Sequence, residues 1–324
     1  MNRREYLFAL GAVAGVGPSW CRSSLANDQS SPTPDAPMVL GPDPNTRTPA
    51  FRLPAGAIDT HTHIFGPIAT YPYAKDRPYT PPEAPLERLR KLHAKLGVDR
   101  GVIVNATVYG DDNQIVIDAL AQSNATYKGV CSIDDRISDA RLEALNNAGF
   151  VGCRFTFGYR RDEPDTTVFD RVVDKIKGLG WHVDLLLGNK ALDELSPKLR
   201  TVPIRFVLDT LGGVANPAEG VNAPSFRALV DLLRSDEKCW VKIMGPERIS
   251  ASGVPYQDVV PFARKVIEAA PDRVLWGTDW PHPNVKIMPN DADLVDFIPQ
   301  YAPDAALQHK LLIENPARLY KFDS

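Results

Sequence analysis

The chain lacks the features that mark several large classes of protein. Only four of its 324 residues are cysteine and none forms a Cys-x-x-Cys pair, so no disulfide framework is indicated. The formal net charge is -3, which gives no electrostatic reason to expect a nucleic acid partner. The apolar run near the N-terminus covers about 11 residues, fewer than the roughly 20 that a membrane-spanning helix needs.

The N-terminus has instead the layout of an export signal. Residues 1–26 contain Arg3 and Arg4, then the apolar run, then small residues that suit a cleavage site at Ser24-Leu25-Ala26. The arginine pair resembles that of a twin-arginine signal. We therefore expect a periplasmic or secreted protein without stable membrane insertion once the signal is removed. Residues 27–56, rich in Ser, Pro, Asp and Asn, are expected to form an extended arm.

From residue 57 onward, short apolar runs alternate with amphipathic helical patterns. Eight such pairs in about 245 residues indicate one α/β domain, a single (β/α)8 TIM barrel over residues 57–324 with an extra C-terminal helix at Ala305–Phe322. A doubly wound open sheet is the alternative, but no Gly-rich phosphate loop follows the first run. The predicted strands are Ala57–His63, Gly101–Ala106, Gly129–Ile133, Gly152–Phe157, His182–Leu187, Ile204–Thr210, Cys239–Met244 and Val274–Asp279. The predicted helices between them are Leu86–Leu96, Asn113–Gln122, Ala140–Ala148, Val168–Leu179, Ala191–Leu199, Phe226–Leu233, Asp258–Ala270 and Asp291–Tyr301.

The residues that end the predicted strands are the candidates for catalysis, because active sites in this fold lie at the C-terminal ends of the strands. His61 and His63 end the first strand and, being two residues apart, point to the same side, into the barrel. Asp279 ends the eighth strand, which lies beside the first when the barrel closes. A carboxylate near two imidazoles can hold a divalent metal or act as a general base toward water.

Positive charge at other strand ends indicates a small anionic substrate. Arg154 and Arg160 belong to the fourth strand and its loop, and Arg248 follows the seventh; guanidinium groups match carboxylates in geometry. Arg154 and Lys242 lie within apolar runs, where an unpaired cation is costly, so each is expected to have a partner. Further candidates for contacts with the substrate are Tyr79, Thr107 and His282.

This arrangement of His-x-His on the first strand and Asp on the eighth resembles the amidohydrolase superfamily, of the amidohydrolase-2 type. A closer resemblance, over about Pro54 to Phe322, is to the 2-pyrone-4,6-dicarboxylate lactonase group. The segments that carry it are Ala57–Pro67, Tyr71–Ala74, Tyr79–Pro81, Pro246–Arg248, Tyr256–Arg264, Arg273–Pro283 and Leu294–Pro299.

The resemblance implies hydrolysis of a lactone without a metal. It makes Asp279 the general base for water and gives His61 and His63 the task of polarising the lactone carbonyl. The substrate carboxylates are then held by Tyr79, Arg154, Arg160 and Arg248, with Thr107 nearby.

The chain departs from the lactonase pattern at three positions. Thr210 replaces a third histidine, Gly213 replaces an arginine and Leu186 replaces a tyrosine. Fewer partners for carboxylates imply a substrate with fewer or differently placed acid groups. If a divalent metal such as Zn or Mn is bound after all, its ligands are His61, His63 and Asp279, a poorer set than a catalytic zinc usually has. No cofactor is expected.

Three functional hypotheses follow. The first is a hydrolase that opens a small carboxylated lactone, resembling 2-pyrone-4,6-dicarboxylate, with water activated by Asp279. The second is another enzyme on the same barrel, either a lactone isomerase or a metal-dependent amidohydrolase or decarboxylase. The third is an anion-binding protein without catalytic activity, against which the intact set of His61, His63 and Asp279 argues. The sequence leaves the oligomeric state open.

Overall fold

Eight parallel strands run in chain order around one sheet, each hydrogen-bonded to the next. The computed structural model describes residues 36–158, 165–188 and 191–323, so the predicted signal at residues 1–26 lies outside the described residues. The strands are β1 (Ile58–Thr62), β2 (Arg100–Val104), β3 (Tyr127–Cys131), β4 (Phe150–Phe157), β5 (His182–Leu187), β6 (Phe206–Leu208), β7 (Cys239–Ile243) and β8 (Val274–Trp276). Beyond β8 the chain returns to β1, where Thr62 bridges Trp280 and His63 N donates to Trp280 O at 2.7 Å. The predicted barrel is confirmed.

Helices occupy every connection between strands and continue after β8. They are α1 (Leu86–Leu96), α2 (Gln114–Ala121), α3 (Asp139–Asn147), α4 (Thr166–Ile176), α5 (Ala191–Leu199), α6 (Pro224–Ser235), α7 (Pro246–Ile249), α8 (Val260–Ala269), α9 (Asp291–Tyr301), α10 (Ala305–His309) and α11 (Asn315–Tyr320). The C-terminal helix predicted at Ala305–Phe322 is α10 and α11 joined by a π-helical turn. The short α7 was not predicted, because four residues are too few to show helical periodicity.

The outer helices form where apolar residues recur at helical spacing. In α6, Phe226, Leu229, Val230 and Leu233 are buried, which places them on one stripe facing the sheet. Pro224 begins this helix, at a position where a missing N–H costs nothing.

A β-bulge in β1 decides which side chains of that strand face the interior. The pairing with β2 passes from Asp59 opposite Gly101 to Thr62 opposite Ile103, so β1 carries one extra residue. Asp59 therefore faces α1, where its Oδ2 lies 3.3 Å from Nε2 of His93. His61 and His63 face the interior, as predicted.

The apolar core has two layers. The larger layer lies between the strands and the surrounding helices. The smaller one contains residues from the strands together with Leu319, Tyr320 and Phe322 from the C-terminal segment. The Tyr320 ring packs edge-on against His182 at the start of β5, with ring centroids 5.0 Å apart. The C-terminal segment thus covers the end of the barrel where the strands begin.

The described part of the predicted arm, residues 36–56, lies along the barrel. Met38 forms a bridge with Thr80, and Arg47 forms an ion pair with Asp293 of α9 at 2.5 Å. Phe51 N also donates to Asp296 of α9 at 2.7 Å. Within the described chain, no helix combines the length and apolar character needed to cross a membrane.

Candidate active site

A cavity of about 860 Å³ opens at the C-terminal ends of the strands. Its lining includes His63 and Asp279, together with seven other positions singled out from the sequence or its departures. These are Tyr79, Thr107, Arg154, Arg248, Thr210, Leu186 and Gly213. The predicted candidates on six different strand or loop segments therefore meet at one place.

Asp279 is held at the floor of this cavity by the closure of the barrel. Its N–H donates to His61 O at 2.9 Å, and its φ of +67° lies in the left-handed region that a non-glycine residue rarely adopts. Gly277 permits the close approach of this segment to β1, since a Cβ there would lie 2.9 Å from Cβ of His61. The strained backbone aims the Asp279 carboxylate at the two imidazoles.

Arg248 keeps the Asp279 carboxylate ionised. Its Nε and Nη2 donate to Oδ2 of Asp279 at 3.0 and 2.8 Å, and Nη2 also donates to Pro283 O at 2.9 Å. Burial alone would raise the pKa of Asp279, but the charge of Arg248 lowers it below its usual range. The other oxygen, Oδ1, faces Nε2 of His63 at 3.5 Å and Nε2 of His61 at 3.8 Å.

The two imidazoles differ in their access to the cavity. His63 borders it, and its Nδ1 donates to Val104 O at 2.7 Å, so in the neutral ring Nε2 carries a lone pair. Burial lowers the pKa of His63 to about 4, which makes the neutral ring the form present near neutral pH. His61 is fully buried and lies beneath His63, with ring centroids 5.0 Å apart.

Beneath the histidines lies a buried network of charges that spans the barrel interior. Nζ of Lys242 on β7 lies 2.5 Å from Oδ2 of Asp184 on β5 and 3.1 Å from Oδ1 of Asp209 after β6. It also lies 3.2 Å from Nδ1 of His61 on β1. Arg154 on β4 joins the network through Asp209, with Nη2 and Oδ2 3.5 Å apart. The expectation that Lys242 and Arg154 have partners is confirmed.

The ligand atoms at the cavity floor are of types that a metal ion accepts, but the charges around them do not favour a metal ion. Ligand atoms of His61, His63 and Asp279 lie within 4.8 Å of one another, and two imidazoles with a carboxylate are donors that zinc accepts. Around them, however, three carboxylates already face three cations. Asp184, Asp209 and Asp279 are in contact with Lys242, Arg154 and Arg248. A dication added here would meet no uncompensated negative charge.

The structure places His282 away from the cavity lining. Its ring is fully buried, with Nε2 3.0 Å from Oδ1 of Asp291 and Nδ1 3.5 Å from Oε1 of Glu247. Burial would lower the pKa of His282, but the two carboxylates raise it to about 10. His282 is therefore a buried cation behind the wall, in a structural ion pair. Arg160, another predicted contact, lies outside the described residues.

The backbone conformation at Gly213 explains why the arginine of the lactonase pattern is absent at this position. Gly213 has a φ of +69°, and a Cβ there would lie 2.1 Å from Leu187 O. No side chain fits this backbone, so the arginine of the lactonase pattern is excluded by the local conformation as well as by the sequence.

The buried carboxylates Asp184 and Asp209 belong to the site but were not predicted from the sequence. A signal was available, because each interrupts an apolar run, as Lys242 does. Opposite charges in neighbouring apolar strands indicate a buried ion pair.

The chain is similar to several known proteins over most of its length. The chain is 43% identical over 288 residues to a 2-pyrone-4,6-dicarboxylate hydrolase of Comamonas testosteroni, which covers 85% of this chain and 93% of that protein. It is 40% identical over 290 residues to a 4-sulfomuconolactone hydrolase of Hydrogenophaga intermedia, covering 88% and 95% of the two chains. It is 33% identical over 293 residues to a D-galactarolactone isomerase of Agrobacterium fabrum, covering 87% and 95%.

A solved structure supports the fold. A crystal structure of an Agrobacterium tumefaciens protein superimposes with a TM-score of 0.75 at 30% identity, covering 85% of this chain and 99% of that one. The model of the amidohydrolase family matches residues 58–322, which include every strand and the floor residues His61, His63 and Asp279. The chain therefore belongs to the amidohydrolase family of enzymes, as its strand-end histidines and aspartate indicated.

Proposed function

We propose that the protein hydrolyses a small carboxylated lactone without a metal cofactor. The observation that carries the proposal is the position of the ionised Asp279 beside His63 at the floor of a cavity that also presents the guanidinium groups of Arg154 and Arg248. The named activities of the lactone hydrolases to which the chain is 40–43% identical support it.

The attacking water is activated between Asp279 and His63. Oδ1 of Asp279 and Nε2 of neutral His63 are both acceptors and lie 3.5 Å apart, so one water on the cavity side of this pair can donate a proton to each. Asp279 takes one proton as the water oxygen bonds to the lactone carbonyl carbon. When the ring C–O bond breaks, Asp279 returns that proton to the leaving oxygen, which gives a hydroxy acid and the ionised carboxylate again. His63 acts here as an acceptor, whereas the resemblance had implied that it polarises the carbonyl.

The two guanidinium groups serve the substrate. Arg248 has 28% of its side chain exposed and can turn from Asp279 to a substrate carboxylate. Arg154 lines the cavity, and its guanidinium places a positive charge near the oxygen on which negative charge develops. Leu186, Thr210 and Gly213, elsewhere in the wall, carry no positive charge. The two guanidinium groups therefore suit a substrate with one or two acid groups rather than more.

The charge balance at the floor supports the metal-independent form of this reaction. We expect turnover of carboxylated lactones to persist after prolonged treatment with a chelator, and metal analysis of the purified protein to give well under one equivalent. One tightly bound zinc or manganese, with activity lost on chelation and restored by the metal, would reverse this conclusion.

Isomerisation is the second candidate, favoured by the relative that is a D-galactarolactone isomerase. The two reactions differ in the fate of solvent oxygen. In water enriched in oxygen-18, hydrolysis leaves one labelled oxygen in the product acid, whereas moving the ester within the molecule leaves none. We expect the label in the product with pyrone and muconolactone carboxylates, and mass spectrometry decides the point.

The role of Asp279 as the base is tested by Asp279→Asn. The amide keeps the shape but cannot take the proton, so we expect kcat to fall by about 100-fold or more with little change in KM. Asp193→Asn is the matched control, since Asp193 is an exposed carboxylate in the wall of the same cavity. Turnover by Asp279→Asn within a few-fold of the native rate would refute the mechanism.

We also propose that residues 1–26 direct export. Replacing Arg3 and Arg4 together by lysine keeps the charge but removes the paired guanidinium groups that a twin-arginine signal requires. We expect the native chain to be recovered in the periplasm, shortened at about residue 27, and the double variant to remain full-length in the cytoplasm. Cell fractionation and N-terminal sequencing test this, and equal distribution of both chains would contradict it.

A further inference from the structure

A fully buried lysine lies directly beneath the paired histidines. Lys242 approaches three groups on three other segments of the barrel, Nδ1 of His61, Oδ2 of Asp184 and Oδ1 of Asp209, at 3.2, 2.5 and 3.1 Å. These three residues by themselves form a set that could hold a metal ion. The ammonium of Lys242 lies against all of them, so the chain supplies its own cation at this point.

The contact with Lys242 determines where His61 carries its proton. An ammonium has three donors and no acceptor, so it can hydrogen-bond Nδ1 of His61 only if that nitrogen has a free lone pair. The proton of the neutral ring is then on Nε2. His61 Nε2 is buried without a hydrogen-bond partner among the described residues, and it faces Oδ1 of Asp279 at 3.8 Å.

The opposite tautomer fits the geometry less well. It would have Nδ1–H of His61 donate to Oδ1 of Asp209, 3.4 Å away. That contact is longer than the 3.2 Å between Nδ1 of His61 and the Lys242 ammonium, and neither Asp209 oxygen has a well-formed hydrogen bond among the described residues. It would also turn the Nδ1 proton toward the protons of the Lys242 ammonium.

We propose that Lys242 is a positioning residue of the active site: by donating to Nδ1 of His61 it keeps the proton on Nε2, so that the N–H of His61 faces the Asp279 carboxylate from 3.8 Å. The two histidines of β1 then have opposite polarity, because His63 donates from Nδ1 and accepts at Nε2. The N–H dipole of His61 stabilises the Asp279 anion electrostatically, while Nε2 of His63 accepts from the attacking water. The catalytic meaning of this arrangement rests on the proposed lactone hydrolysis, but the arrangement itself does not.

The same polarity bears on metal binding. A metal ion binds a ring nitrogen through its lone pair, and Nε2 of His61 in this tautomer carries a proton instead. As long as Lys242 donates to Nδ1, Nε2 of His61 therefore cannot bind a metal ion as the family's first-strand histidine would.

The decisive measurement is made on the native protein without substrate. The full chain is labelled with nitrogen-15 in its six histidines, and long-range nitrogen–proton spectra at neutral pH are assigned by single substitutions. We expect His61 to show a protonated Nε2 and an unprotonated Nδ1, and His63 to show the reverse. A protonated Nδ1 in His61, alone or together with Nε2, would overturn the proposal. Because no substrate is present, failure of lactone hydrolysis leaves this result unchanged, and the two proposals can fail separately.

A variant tests what Lys242 contributes. Lys242→Met combined with Asp184→Asn removes one charge of each sign and so limits the loss of stability. We expect His61 to move its proton to Nδ1, facing Asp209, and kcat to fall about 10- to 100-fold while KM changes little. A merely structural role would leave the tautomer of His61 unchanged, and that result would overturn the proposal.

Lys198→Met is the matched control, because Lys198 pairs with Asp170 on the surface, outside the barrel interior. We expect it to keep both the His61 spectrum and kcat. Should the double variant fail to fold, the spectrum of the native protein still decides whether His61 has the proposed polarity.

Discussion

At the scale of single residues, the contact between Arg248 and Asp279 is the one with the most direct chemical consequence. Both donors of Arg248 converge on one oxygen of Asp279, at 3.0 and 2.8 Å. This contact stabilises the anion and so makes it a weaker base. A substrate carboxylate that draws Arg248 away removes those hydrogen bonds and makes Asp279 more basic. Binding of the correct substrate would then make Asp279 a stronger base toward the attacking water.

The variant Arg248→Gln tests this coupling through the pH dependence of the reaction. The native pKa of Asp279 is lowered, so the carboxylate stays ionised and active far into acid. Without the guanidinium the pKa rises, and we expect kcat/KM to begin falling at a higher pH as the solution is acidified. We also expect KM for carboxylated lactones to rise about tenfold or more, for a lost charge-assisted hydrogen bond.

The control for that variant is Arg47→Gln, which removes a guanidinium paired with Asp293 on the outside of the barrel. Its profile should match that of the native enzyme. If Arg248→Gln raised KM but left the acid side of the profile in place, Arg248 would bind substrate without controlling the base.

At the scale of secondary-structure elements, the buried His282 ties three segments together. It belongs to the loop after β8, and its ring contacts Glu247 of α7 and Asp291 at the start of α9. Glu247 is the neighbour of Arg248, so this ion pair fixes the turn that carries the guanidinium into the cavity. A residue expected to touch the substrate thus supports the wall from behind.

The protonation of His282 makes the free energy of unfolding fall as the pH becomes alkaline. Its pKa is raised to about 10 in the folded state, above the value of about 6.5 for an unperturbed histidine. The folded protein therefore holds this proton more tightly than the unfolded chain. The stabilisation is fully present below about pH 6.5 and is lost as the pH rises through about 10, by up to about 1.4 kcal/mol per pH unit.

We expect His282→Gln to reduce the free energy of unfolding at pH 6 and to flatten its decline between pH 6.5 and 10. Urea unfolding at several pH values measures both effects. His309→Gln is the matched control, because His309 pairs with Glu314 on the exposed surface. A decline of the same steepness in the native protein and the His282 variant would show that another group causes it.

At the scale of the whole molecule, closure of the barrel at β1 and β8 creates the site. The buried Asp59 holds this seam: its Oδ1 accepts from Thr278 N at 3.0 Å and from His61 N at 3.1 Å. Its Oδ2 accepts from Thr278 Oγ1 at 2.6 Å and lies 3.3 Å from Nε2 of His93. One carboxylate outside the barrel thus fixes the backbone that positions both His61 and Asp279.

Asp59→Ala leaves several buried donors without an acceptor. We expect it to lower the free energy of unfolding by about 3 kcal/mol or more, measured by urea unfolding. Asp99→Ala is the matched control, since the Asp99 carboxylate accepts from Gly56 N at 2.5 Å at an exposed position. We expect it to cost no more than about 1 kcal/mol. Equal losses in the two variants would mean that the seam does not depend on Asp59.

The sequence by itself determined the barrel and the main groups at the floor of its cavity. Eight alternations of apolar runs and helical patterns fixed the number and order of the strands, because periodicity is a local property of the chain. His61, His63 and Asp279 were identified because the ends of parallel strands meet at one face of a barrel. Even the need of Lys242 and Arg154 for partners followed from the cost of a buried, unpaired cation.

Only the tertiary structure decided which charges meet and which way each side chain faces. A bulge of one residue in β1 sends Asp59 outward and His61 inward, although both lie in the same apolar run. Asp184 lies on β5, Lys242 on β7 and Asp209 just after β6, and their pairing depends on distances across the barrel that no local pattern records. His282 was assigned to the substrate from its place after β8, yet the carboxylates behind the wall hold it. Hydrogen bonds and ion pairs act over a few ångströms, and those distances exist only after distant parts of the chain have packed together.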